Sequence, residues 1–109
     1  MIIEPNDPFA AEKHLAVEAL FKVIDPELFV NVIDLGMVYN LDFEKSDCVK
    51  VLMTLTSPHC PMGEAIKNGA KNALEIAFPD RVAIVDLTFD PPWSIDVVSE
   101  EGKRQLGVE

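Results

Sequence analysis

The order of apolar patterns predicts an α+β fold: a two-layer α/β unit whose small mixed sheet of three or four strands carries helices on one face, in the order α-β-β-α-β-α. Two alternating runs, Met37 to Glu44 and Val49 to Leu55, are close enough in sequence to pair as an antiparallel hairpin. A helical stripe then separates the second run from a third, which calls for a right-handed crossover between parallel strands.

The first helix is expected to open at Asp7-Pro8, with Asp7 as N-cap and Pro8 at the first helical position, where its missing N–H costs nothing. Ala16, Ala19, Leu20 and Val23 share a face, and Asp25-Pro26 closes the helix because the residue before proline is driven from helical backbone. After an irregular passage, Met37, Tyr39, Leu41 and Phe43 alternate with Val38, Asn40, Asp42 and Glu44. Lys45-Ser46-Asp47 turns the chain, and Val49, Val51, Met53 and Leu55 form the buried side of the second strand. Met62, Ala65, Ile66, Gly69, Ala70, Ala73 and Ala77 then recur at helical spacing. Their small size lets the helix axis approach the sheet. Phe78-Pro79-Asp80 ends that helix, and Val82 to Phe89 reads as the third strand with Val85, Leu87 and Phe89 on one face. Asp90-Pro91-Pro92-Trp93-Ser94 is a stiff loop, read either as a packing device or as a partner-facing element, and Ser99 is placed to cap a last short helix ending near Gly107.

The 109 residues suit one domain, residues 1–109, without repeats or a linker. Nineteen acidic residues against nine basic ones give a formal charge of -10, which repels nucleic-acid phosphates and leaves DNA and RNA unsuitable as partners. Most of that charge reads as solvated exterior. Two cysteines, Cys48 and Cys60, match neither a secreted disulfide scaffold nor a closed zinc site. The first residues lack the pattern of a signal peptide, and no apolar run approaches the ~20 residues a bilayer needs. A cytoplasmic protein with no membrane contact is expected.

The chemistry concentrates in Leu55-Thr56-Ser57-Pro58-His59-Cys60-Pro61-Met62-Gly63, where a strand pattern gives way to a helix pattern. A thiol at a helix entrance tends toward thiolate, because the unpaired N–H groups there carry partial positive charge. Pro58 and Pro61 restrict the backbone around it. Cys60 is thus a candidate metal ligand or nucleophile; the plainer reading is an N-cap filler. His59 is a poor partner base, since adjacent side chains on a turn diverge. Asp34 lies between apolar residues just before the first strand, so it either caps a turn or faces the same site, because the start of one hairpin strand adjoins the end of the other. Thr54 and Thr56 share the polar side of the second strand and could line that spot. Cys48 lies roughly 25 Å from it at strand rise. One thiolate cannot close a four-ligand site. Cys60 would therefore act transiently, or be completed by a second copy, a partner or a small thiol.

The segments Asp25-Pro26-Glu27-Leu28, Asn31 to Tyr39, Met53 to Pro61, Asp90 to Ser94 and Ser99 to Gly107 together resemble the metal-sulfur cluster biosynthesis domain family, the SufT-like and PaaD-like proteins. The resemblance implies a small α/β domain used in iron-sulfur cluster assembly or delivery, generally an adaptor or carrier and not an enzyme. Its reactive cysteine maps onto Cys60, and its Asp-Leu-Gly motif onto Asp34, Leu35 and Gly36. This chain lacks the C-terminal cysteine cluster of some phenylacetate-pathway relatives. The expected site is Cys60 as metal ligand, with Asp34 and Thr56 contacting a transient iron-sulfur cluster that two subunits of a homodimer could share. The expected partners are the iron-sulfur assembly machinery and apo iron-sulfur proteins, with the Trp93 loop near the partner surface. Two rivals stand beside it: a cysteine-dependent transferase or hydrolase, which would need Asp34 to act as base through water since His14 lies in the first helix, and a purely structural adaptor.

Overall fold

The computed structural model describes residues 3–56 and 63–107. Helix α1 spans Ala10–Leu20, strands β1 and β2 span Val38–Asp42 and Cys48–Met53, helix α2 spans Gly63–Ala77, strand β3 spans Val82–Leu87, and helix α3 spans Glu100–Leu106. The sheet runs β1-β2-β3, antiparallel between β1 and β2 and parallel between β2 and β3. The expected element order and mixed three-stranded sheet are present.

Strand β2 follows its alternation: Val49, Val51, Met53 and the following Leu55 are all buried. They meet Ile66, Ala70 and Leu74 of α2 in one core cluster that also holds Val38, Leu41, Ala83 and Val85. Leu74 belongs to the buried face of α2, although the stripe read from the sequence omitted it, whereas Ala65 is exposed. The physical reason is that α2 has two neighbours. Ile66, Ala70 and Leu74 form its buried line, while Ala65, Gly69 and Ala73 border a groove shared with α1.

Other boundaries shift for local reasons. Asp7 does cap, but its side chain accepts the Phe9 N–H at 2.8 Å and its carbonyl accepts that of Ala10, so Pro8 and Phe9 form a turn and the helix starts at Ala10. It ends at Leu20, before Asp25-Pro26. In β1 the register slips between Val38 and Asn40, a β-bulge that buries Met37 and Val38 in succession and turns Tyr39 out of the core. Its hydroxyl donates instead to the Pro91 carbonyl at 2.9 Å. Strand β3 stops at Leu87, leaving Phe89 exposed instead of on the inner face. Arg81 ties the far end of the sheet: its guanidinium donates to the carbonyls of Lys45 at 2.6 Å and Cys48 at 2.8 Å and lies over the Phe43 ring.

Candidate functional site

The end of the sheet where β1 begins and β2 and β3 end gathers the sequence-derived candidates. Val38 pairs with Met53, the Thr54 N–H donates to the Met37 carbonyl at 2.8 Å, and the Thr88 N–H donates to the Met53 carbonyl at 2.9 Å. The loop carrying Asp34 and the bend carrying Thr56 therefore lie at one end of the sheet, beyond the carboxyl ends of its parallel pair, where open α/β sheets present ligand sites. Cys48 is the first residue of β2, at the opposite end, with a free, half-buried thiol. Cys60 and His59 lie outside the described residues.

Asp34 is held from two sides. Asn31 accepts the Asp34 N–H through Oδ1 at 2.8 Å and donates through Nδ2 to Asp34 Oδ2 at 2.7 Å, closing a side-chain turn. From the other side Ser99 donates its hydroxyl to Asp34 Oδ1 and its N–H to the Asp34 carbonyl, both at 2.8 Å. Ser99 also caps α3, as expected, by accepting the Gly102 N–H at 3.0 Å. One hydroxyl thus joins a carboxylate on the site loop to the first turn of the last helix.

The rest of Asp34-Leu35-Gly36 faces the same C-terminal segment. The Leu35 carbonyl accepts the Trp93 indole N–H at 2.6 Å, so the stiff aromatic loop is a packing device against the site loop. Gly36 has φ +70, and a Cβ there would lie 2.1 Å from the Val97 carbonyl oxygen. Both the backbone conformation and the close approach require glycine. A Cβ on Gly102 would meet the Asp34 carbonyl at 2.8 Å, so α3 seats on this loop just as closely.

Thr54 departs from its expected place among polar groups. It is fully buried, with its hydroxyl directed at the Leu55 carbonyl at 3.3 Å, while Thr56 is half-buried. Asp25 was read as a helix stop and as the start of one of the family-like segments, with no role for its side chain, yet it is a fully buried carboxylate. Its Oδ1 accepts the N–H groups of Glu27 at 2.7 Å and Leu28 at 3.1 Å, and its Oδ2 has no hydrogen-bond partner among the described residues. An aspartate followed by proline and two residues with backbone N–H groups was the available signal, since such a carboxylate folds back on its own loop. Among the described residues no three His, Cys, Asp or Glu side chains converge to hold a metal ion, and no helix is long and apolar enough to cross a membrane.

Comparison with known proteins finds relatives along nearly the whole chain. A Porphyromonas gingivalis protein named Fe-S protein maturation auxiliary factor is 39% identical over 102 residues, covering 94% of this chain and 97% of that protein. The Bacillus subtilis Fe-S protein maturation auxiliary factor YitW is 35% identical over 99 residues, covering 91% and 97%. The crystal structure of a domain of unknown function, DUF59, from Bacillus anthracis superposes with a TM-score of 0.83 at 35% identity, covering 92% of this chain and 94% of that one. The family model described as iron-sulfur cluster assembly protein matches residues 16–87, which span Asp25, Asp34, Thr56 and Cys60. With that match and these near full-length relatives, the chain belongs to the iron-sulfur cluster assembly protein family.

Proposed function

We propose that this protein is an iron-sulfur cluster assembly or delivery factor, an adaptor or carrier in the maturation of iron-sulfur proteins and not an enzyme. The observation that carries the reading is the family match over residues 16–87, supported by relatives named as maturation auxiliary factors. In this reading Cys60 supplies a thiolate to an iron-sulfur cluster that is cargo and not a resident group. Soft thiolate suits iron and sulfide, and a single ligand permits release. Two copies sharing one cluster through their Cys60 thiolates would supply two of its four ligands, with a partner or a small thiol supplying the others. The partners are the assembly machinery that supplies the cluster and the apo-proteins that receive it, in the cytoplasm.

Thr56 and Asp34 contribute as neighbours at the same end of the sheet. Asp34 is oriented by Asn31 and Ser99, and a carboxylate has about four acceptor directions, so two hydrogen bonds fix it without exhausting it. Its task here is to hold the site loop in register and to present the remaining lone pairs.

Anaerobic incubation with ferrous iron and sulfide, followed by visible absorption of the desalted protein, tests the reading. The native chain should acquire a sulfide-to-iron charge-transfer spectrum, and Cys60→Ala should not. Equal chromophore in both removes Cys60 from the ligand role. A cysteine-dependent transferase or hydrolase would instead show saturable alkylation by a substrate-like electrophile, and a purely structural adaptor would retain full maturation activity in cells as Cys60→Ser.

A further inference from the structure

The loop between α1 and β1 holds a residue in a conformation its side chain opposes. Phe29 has φ +59, in the left-handed region that favours glycine, where a bulky side chain costs on the order of 1 kcal/mol. It is also 77% exposed, so burial within its own chain does not offset that strain. Asp25 imposes the shape: its carbonyl accepts the Phe29 N–H at 2.8 Å, its own N–H donates to the Val30 carbonyl at 2.9 Å, and its carboxylate takes two further loop N–H groups. A loop braced by a buried carboxylate therefore holds an aromatic ring out in water. Rigid, pre-positioned aromatic side chains are the commonest anchors of protein interfaces.

A matching cavity lies at the foot of that loop. Ile24 and Asn31 are bridged at its base, and Ile24 also lines an open groove of about 630 Å³ between α1 and α2. Small residues, Ala65, Gly69 and Ala73, open its α2 side, which Ile76 also borders. Three further large apolar side chains on this surface are unpartnered: Ile76 is 81% exposed, Ile24 49% and Leu15 44%.

Self-complementary charge favours a second copy as the occupant. Among the described residues the charged groups on the groove are Glu18 and Lys22, which lie one turn apart on the α1 side. Running this surface antiparallel against its own copy sets each carboxylate beside the other copy's ammonium. On a chain of net charge -10 this is a neutral face, where two copies meet with little repulsion. Phe29, Ile76, Ile24 and Leu15 expose roughly 450 Å² of apolar side chain per copy, about 900 Å² for a pair, below the ~1,200 Å² at which stable interfaces begin, which makes the dimer a weak, concentration-dependent one.

We propose that Phe29 of one copy seats in the α1–α2 groove of a second copy, and reciprocally, to form a two-fold homodimer. The interface is assembled from apoprotein, so it is tested without iron and stands or falls separately from the cluster reading.

Sedimentation velocity of the metal-free full chain across a concentration series, with Phe29→Gly, Ala65→Glu and an equimolar mixture of the two, tests the assignment. The native chain should dimerise. Phe29→Gly removes the ring from both copies and should weaken association about a thousandfold, the loss expected of two anchors worth about 2 kcal/mol each. At dilutions where the native chain is monomeric, this variant should melt at the native temperature or above, because glycine relieves the left-handed strain. Ala65→Glu, at an exposed helical position on the groove, should remain folded and monomeric. The mixture should form mixed dimers that neither variant forms alone, since one retains the groove and the other the ring. A native chain that stays monomeric, a Phe29→Gly variant that dimerises as well as native, or one that melts below native as a monomer overturns the proposal; binding only to a different protein does the same.

Discussion

Replacing Ser99 with alanine removes two contacts at once, and the cost follows from the geometry. The hydroxyl donates to Asp34 Oδ1 at 2.8 Å, a hydrogen bond to a charged acceptor worth about 1.5–3 kcal/mol, and the lower value applies because both residues are half-buried. The same oxygen accepts the Gly102 N–H at 3.0 Å, an N-cap worth about 1 kcal/mol. Their loss together destabilises the native state by about 2.5 kcal/mol. At roughly 4 °C per kcal/mol for a chain of this size, the melting temperature falls by about 10 °C. Trp93 is the only tryptophan, and its indole N–H reaches the neighbouring Leu35 carbonyl, so its fluorescence reports the junction directly in a urea or thermal melt. Ser99→Thr keeps the hydroxyl and should stay near native. In a double-mutant cycle with Asp34→Ala, the coupling energy should come to about 1–2 kcal/mol. A Ser99→Ala variant within about 0.5 kcal/mol of native, or a cycle with no coupling, would refute the claim that this hydroxyl joins the site loop to α3.

Three further outcomes are expected. Gly36→Ala should cost more than about 3 kcal/mol in chemical denaturation, because the added carbon would lie 2.1 Å from the Val97 carbonyl oxygen and φ is +70. Arg81→Ala should lose about 1.5–3 kcal/mol through its bonds to the Lys45 and Cys48 carbonyls and its guanidinium over the Phe43 ring, and Arg81→Lys should restore only part of it, since an ammonium can serve the carbonyls that the single Nη1 serves but cannot replace the planar cation over the ring. Glu75 accepts a hydrogen bond from Lys71 and another from the Ala83 N–H, and these hold its carboxyl below the usual value of 4.5. A depressed folded-state pKa contributes stability that is fully present above pH 4.5 and lost as pH falls through the folded value. Glu75→Gln should therefore flatten the acid limb of the stability profile below about pH 4.5, and an unchanged acid limb would contradict that assignment.

Legibility from sequence tracked how local each determinant is. Strand β2 was readable because one face of an uninterrupted strand must alternate, and Val49, Val51 and Met53 do. Strand β1 carried the same pattern, yet the bulge at Tyr39 inverted part of it, and Val38 and Tyr39 both suit a strand, so composition held no warning. Thr54 is polar but buried because its N–H is consumed by the sheet end and its hydroxyl finds a carbonyl next door. Nothing in the residue type marks Phe29 as left-handed; that follows from how Asp25 folds its loop. At the candidate site, Asp34 and Ser99 were each legible as capping residues. Their joining was not, because it is a contact between residues 65 positions apart.

That contact changes what a substitution at Asp34 can mean. Loss of activity in Asp34→Ala would follow either from removing a group that faces the cluster or from releasing the C-terminal segment that Asp34 holds, so activity alone does not separate them. Ser99→Ala does, because it breaks the side-chain part of the attachment, keeping only the Ser99 N–H bond to the Asp34 carbonyl, and leaves the carboxylate in place with Asn31 still donating to it. If Asp34 acts through the attachment, Ser99→Ala and Asp34→Ala should lower cluster loading in proportion to their loss of Trp93 signal. If it acts on the cluster, Ser99→Ala should retain loading while its fluorescence changes, and Asp34→Asn should lose loading although Asn31 and Ser99 remain within reach. Proportional loss across all three variants would exclude a direct role for the carboxylate.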